Sequence, residues 1–142
     1  INTRNKAMTT AVKDLRGASD AIVAKLTEMA IKDNEQFIAA ATTPAQRKEL
    51  ASACNCTPVE IRELANRADL ARIKGVSGVY SNLLENAGID TVKELATRRP
   101  DNLHAKIIET NDKDKLTARP PTKTMVEDWV KQAKELPNTL TY

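Results

Sequence analysis

Leu15-Arg16-Gly17-Ala18-Ser19 returns fifty-eight positions later as Ile73-Lys74-Gly75-Val76-Ser77. Each run places an apolar residue, a base, a glycine, a small residue and a serine at the mouth of a helix. The match continues without a gap. Ala21 falls on Val79, Ile22 on Tyr80, Leu26 on Leu84, Ala30 on Gly88, Ile31 on Ile89 and Phe37 on Leu95. A turn duplicated together with its apolar supports restricts the chain to two related units. The pattern of each run is that of a hairpin between two helices. The expected fold is therefore all-α, a tandem helix-hairpin-helix repeat with its two halves packed as one compact domain. The expected divisions are an N-terminal arm over residues 1–13, a first half over 14–70 and a second half over 71–142.

The composition agrees with helices. Aromatic residues make up 3% of the chain, so a core must be built from Leu, Ile, Val and Ala. Glycine occurs 4 times, leaving few helix breakers. No apolar run approaches the roughly eighteen residues that a membrane span needs. A soluble, intracellular chain is expected, with no transmembrane segment. The chain opens on Ile1 rather than Met, as expected where a targeting peptide or a longer domain precedes it.

Pro and hydroxyl residues mark the helix starts. Ile22, Val23, Leu26 and Ala30 are spaced for one buried face, with the first hairpin before them. Asp33-Asn34 interrupts, and a second helix carries Phe37 and Ile38. Thr43-Pro44 reads as an N-cap and first helical residue, opening a helix to about Ala53. Thr57 caps the next helix, and Glu60 three positions on completes the pattern of a capping box. Ile61, Leu64, Ala65 and Ala68 are its apolar stripe. In the second half, Val79, Tyr80, Leu83, Leu84 and Ala87 form a buried face, Gly88 suits a left-handed helix end, and Ile89 tucks back. Asp90 or Thr91 caps a short helix with Val92 and Leu95. Arg99-Pro100-Asp101 opens one holding Leu103, Ile107 and Ile108. Asn111 to Pro121 reads as a polar loop. Thr122 or Thr124 starts the last helix, whose Val126, Trp129, Val130 and Ala133 fall sixty-five positions after Ile61, Leu64, Ala65 and Ala68.

Charge and thiol content narrow the function. The net charge is +3, from 22 bases and 19 acids. Residues 1–70 hold 10 bases and 9 acids and residues 71–142 hold 12 and 10, so neither half is a basic block. Tight nonspecific binding of nucleic acid usually shows a clearer basic excess. Cys54 and Cys56 are too close in sequence for an unstrained disulfide, and His104 is the one histidine, so no zinc ligand set forms. Asp112 and Asp114 sit beside Lys113 and Lys115, which oppose a metal there. No catalytic residue, metal or cofactor is expected, and the chain is not expected to be an enzyme.

One constellation could carry binding chemistry. A hairpin feeding a helix N-terminus exposes backbone N–H groups at the positive end of the helix dipole, which together can hold a phosphate. The usual hairpin has a second glycine two positions after the first. Here Ser19 and Ser77 stand in its place, and a serine can simply cap its own helix. Asp20 would repel an anion from the first hairpin. The second hairpin is more open, because Gly78 follows Ser77. Its candidate anion or nucleic-acid contacts are Lys74, Gly75, Ser77, Gly78 and Val79. The plainer reading is two tight turns joining packed helices. Likewise Trp129 reads as core, Asn82 as an exposed polar residue, and Arg98, Arg99 and Lys106 as a solvated face.

The run Leu70-Ala71-Arg72-Ile73-Lys74-Gly75-Val76, with Tyr80, Leu83-Leu84, Ala87-Gly88-Ile89, Leu95-Ala96, Arg119-Pro120, Val126, Trp129-Val130 and Ala133, resembles a helix-hairpin-helix domain of unknown function, family 4332. The resemblance covers the chain from about Asp14 to Leu136. It implies a tandem hairpin fold found in bacteria, notably cyanobacteria, and in some eukaryotes. It brings no activity and transfers no functional residue. For a eukaryotic chain it admits a plastid beside the cytoplasm. The expected function is a non-enzymatic binding module, a protein–protein scaffold or accessory subunit of a larger complex. The alternative is nucleic-acid binding through the second hairpin.

Overall fold

The computed structural model describes residues 9–142, which form helices and no strand. In chain order they are α1 (Asp20–Glu28), α2 (Asn34–Ala40), α3 (Pro44–Cys54), α4 (Pro58–Leu70), α5 (Gly78–Asn86), α6 (Val92–Ala96), α7 (Pro100–Asp114) and α8 (Lys123–Glu135). A 3-10 turn, Val12–Asp14, leads into α1. All-α architecture follows from the capping chemistry. Ser19, Asp33, Thr43, Thr57, Ser77, Thr91 and Thr122 each accept the backbone N–H of the residue three positions on. Each cap satisfies a donor that the first helical turn leaves without an internal partner. Proline occupies the first turn of α3, α4 and α7, where its missing N–H costs nothing.

The buried apolar residues fall into two clusters. One runs from Val12 to Ala71 and is packed by α1 to α4, with Leu26, Phe37, Ile61 and Ala68 fully buried. The other runs from Leu70 to Ala133 and is packed by α5 to α8, with Leu84, Ile89, Leu95 and Val126 fully buried. The chain passes between them at Leu70–Ala71, where adjacent side chains enter different clusters. Within the first, α4 lies against α2 and α3. Within the second, α8 lies against α6 and α7.

Gly17 and Gly75 share a backbone conformation, with φ of 91° and 95°. L-residues avoid that region, so glycine is required at each turn. Ala18 and Val76 then donate their N–H groups back to Leu15 and Ile73, closing the two turns alike. Trp129 is buried in the second cluster at 1% exposure, as its stripe position predicts.

Several expectations are corrected. The arm expected over residues 1–13 lies outside the described residues up to position 8. Beyond that, Val12 is core at 1% exposure, and its N–H reaches the Lys32 carbonyl. Ala30 does not join the buried face of α1. It ends the helix in the left-handed region at φ 62°, as Gly88 does at 95° after α5. Val79 is 40% exposed, because it precedes the first inward turn of α5. Asn111 to Asp114 belong to α7 rather than to a loop. The Asn111 amide explains why the helix then stops. It accepts from the N–H groups of Leu116 and Thr117 and donates to the Thr117 carbonyl, holding the exit turn. Thr57 caps α4, but Glu60 does not reciprocate. Full capping boxes form instead at Asp33/Gln36 and Thr43/Gln46.

Candidate functional site

The second turn holds all the predicted contact residues, and α8 decides what they can do. The Gln132 side-chain amide accepts from the Lys74 N–H at 2.8 Å and donates to the Lys74 carbonyl at 3.1 Å. Both backbone groups of Lys74 are therefore committed to α8. Gly75 is exposed, and a Cβ added to it would meet the indole Nε1 of Trp129. Ser77 uses its hydroxyl to cap Tyr80, and the Gly78 Cα faces the Asp14 carbonyl. The Lys74, Ser77, Gly78 and Val79 surfaces are exposed. The N–H groups of Gly78 and Val79 lie in the first turn of α5, where a helix offers no internal acceptor.

The first turn sits in a different electrostatic setting. Gly17 faces open space, and a small cleft beside it is lined by Arg16 and Arg67 but also by Glu60, Glu63 and Glu85. Arg67 is spoken for by an ion pair with Glu85 and a bond to Asn82. Asn82, expected to be exposed, is thus half-buried. The Ser19 hydroxyl, not the Asp20 carboxylate, takes the Ile22 N–H.

A further cleft lies elsewhere, where α4 meets the loop before α6. It encloses about 790 Å³. Glu63, Glu85, Asp90 and Glu94 line it together with Arg62 and Lys93. Burial, and then the neighbouring Glu85 and Glu94 carboxylates, raise the Asp90 carboxyl above its ordinary value. Arg62 and Arg67 act against that rise. Tyr142 closes one side.

Beneath this cleft is a buried polar joint that sequence reasoning missed. Asp69 is 3% exposed and Arg72 6%. The Asp69 carboxylate accepts from Arg72 through two nitrogens, at 3.0 and 2.7 Å, and its second oxygen accepts the Val92 N–H at 2.8 Å. One carboxylate thus ties the end of α4 to the start of α6. Thr139 also donates to it, at 3.3 Å. Arg47, 4% exposed, donates to the carbonyls of Ala41, Thr42 and Thr141. The available signal was charge inside apolar runs. Asp69 and Arg72 interrupt the stretch from Leu64 to Ile73, and charge is rarely buried unless paired.

The remaining predicted groups are dispersed. Arg98 pairs with Glu94 at 3.7 Å, Arg99 approaches Asp101 at 3.9 Å, and Lys106 approaches Glu109 at 3.7 Å, all on exposed surface. His104 lies against the Pro121 carbonyl at 3.1 Å. Cys54 and Cys56 are free thiols. Burial, then the adjacent Cys54 and Glu60, push the Cys56 thiol up to about 11. Among the described residues, no helix is long and apolar enough to cross a membrane.

No curated protein and no solved structure matches the chain. The family described as Domain of unknown function (DUF4332) matches residues 16–136. With most of its length inside that match, the chain belongs to the DUF4332 family.

Proposed function

We propose that this chain is a non-enzymatic binding module that docks onto another polypeptide, as a scaffold or an accessory subunit. The junction cleft supports this reading. Four carboxylates and two bases line it. A surface of alternating sign complements a polypeptide that carries both charges, and it repels the uniform charge of a phosphate backbone. The second turn adds to the argument, because Gln132 already holds the Lys74 backbone.

The test is selection of peptides from a random display library against the intact chain. Enriched peptides should bind with micromolar Kd, and Glu63→Lys with Glu94→Lys should weaken them at least about tenfold. Nucleic-acid binding at the second turn is the alternative, favoured by the exposed Lys74 side chain beside the α5 N-terminus. Duplex DNA binding that is micromolar, falls steeply with salt and disappears in Lys74→Glu would replace the protein-binding reading.

A further inference from the structure

The segment after α8 does not trail away. It returns across the molecule and lies on the groove formed by α3, α4 and the turn before α3. Each residue from Thr139 to Tyr142 is engaged, and Arg47 serves two of them. The Thr139 hydroxyl meets the buried Asp69 carboxylate. Leu140 packs against the first apolar cluster. The Thr141 backbone is read on both sides: its N–H donates to the Thr42 carbonyl at 2.8 Å, and its carbonyl accepts from Arg47 at 2.6 Å. The Tyr142 ring stacks 5.1 Å from the Arg47 guanidinium, and its hydroxyl donates to Asn66.

This is the geometry of extended-peptide recognition. Backbone hydrogen bonds at Thr141 are joined by side-chain contacts from Thr139, Leu140 and Tyr142. Arg47 is suited to the task, since one planar guanidinium can hold carbonyls along its edge and an aromatic ring on its face. The seated segment itself is marginally held. Asn138 to Tyr142 form no helix, Tyr142 is 64% exposed, and Leu140 is only half-buried. A tethered segment of this length is held by these contacts together with its high effective concentration.

We propose that the Thr42–Arg47–Asn66–Asp69 groove is an acceptor for an extended peptide of hydroxyl–apolar–hydroxyl–aromatic sequence, with Thr139–Tyr142 as its resident intramolecular ligand. An outside peptide of that chemistry must displace the resident segment. The proposal rests on the protein-binding reading above and names the kind of partner that reading requires.

The experiment uses the full chain and a fluorescent peptide, Leu-Pro-Asn-Thr-Leu-Thr-Tyr, blocked at both ends, followed by anisotropy. Leu140→Asp releases the resident segment by placing a charge against the apolar cluster. Thr141→Pro releases it independently by removing the N–H that Thr42 accepts. Circular dichroism verifies that each variant keeps its helices. Both variants should bind the peptide at least about tenfold more tightly than the wild type, whose groove is filled. Adding Arg47→Lys should remove that gain. Folded variants that bind the peptide no better than the wild type would overturn the proposal and leave the segment a structural strap. If library-selected peptides bind wild type and released variants equally while this peptide binds none, the inference fails and the general reading stands.

Discussion

A Cβ placed on Gly75 would stand 3.1 Å from Nε1 of Trp129. The glycine therefore meets two demands, a backbone at φ 95° and an indole beside it. Gly17 meets only the first, with φ 91° and nothing within 4 Å. Gly75→Ala should destabilise by about 2–3 kcal/mol and Gly17→Ala by about 1–2 kcal/mol. Urea unfolding of the two variants checks the ordering. An equal cost at both sites would remove Trp129 from the explanation.

Asp69→Ala should be among the most damaging single changes. It strands the buried Arg72 guanidinium and takes the acceptor from Val92. Breaking a buried pair from one side costs about 3–5 kcal/mol. Asp69→Ala combined with Arg72→Met should cost clearly less than the two single changes added together. A double-mutant cycle measures the difference, and simple additivity would mean that the pair acts independently.

Leu26 and Leu84 are both fully buried, one in each cluster. Truncating either to Ala should cost about 2–5 kcal/mol through lost contacts and a cavity. Met29, at 43% exposure, is the control. Met29→Ala should stay within about 0.5 kcal/mol of wild type.

Cys56 gives a pH signature. Its thiol titrates near 11 in the folded chain against an ordinary 9.0, because burial disfavours the thiolate. A raised value means that the folded state holds the proton longer than the unfolded chain does. The stabilisation is complete below about 9 and is lost as pH rises through about 11. The melting temperature of wild type should therefore fall relative to that of Cys56→Ser across that window. Iodoacetamide at pH 8 should label Cys56 more slowly than it labels glutathione.

Local chemistry was legible in the sequence and distant pairing was not. Thr43-Pro44 announced its helix because cap and first turn are neighbours. Gly88 announces a left-handed helix end because few other residues fill one. Ala30 ends α1 at φ 62°, in the part of the left-handed region that an L-residue can enter, so no glycine signals the turn and the spacing places Ala30 on the buried face. Asn111 ends α7 through bonds to residues five and six positions on, yet its polarity suggested a loop already begun. The second turn was placed correctly along the chain, but Gln132, fifty-eight positions away, decides which of its groups are free. The junction cleft was invisible for the same reason. Asp69 meets Val92 and Thr139, and Arg47 meets Thr141, across separations of 23, 70 and 94 positions. No periodicity of one helix encodes such partners.

Trp129 is the one tryptophan of the chain, and it sits in the second cluster with Tyr80 tilted against it at 5.4 Å. The first cluster has Phe37 as its buried aromatic. Emission excited at the red edge of the indole band is thus a private reporter of one cluster, and the other is optically silent. Far-ultraviolet ellipticity sees all the helices. Coincident melts by the two probes would mean that the Asp69 joint makes the halves a single cooperative unit. Ellipticity lost before the emission shifts would mean that the first cluster unravels while the second still stands.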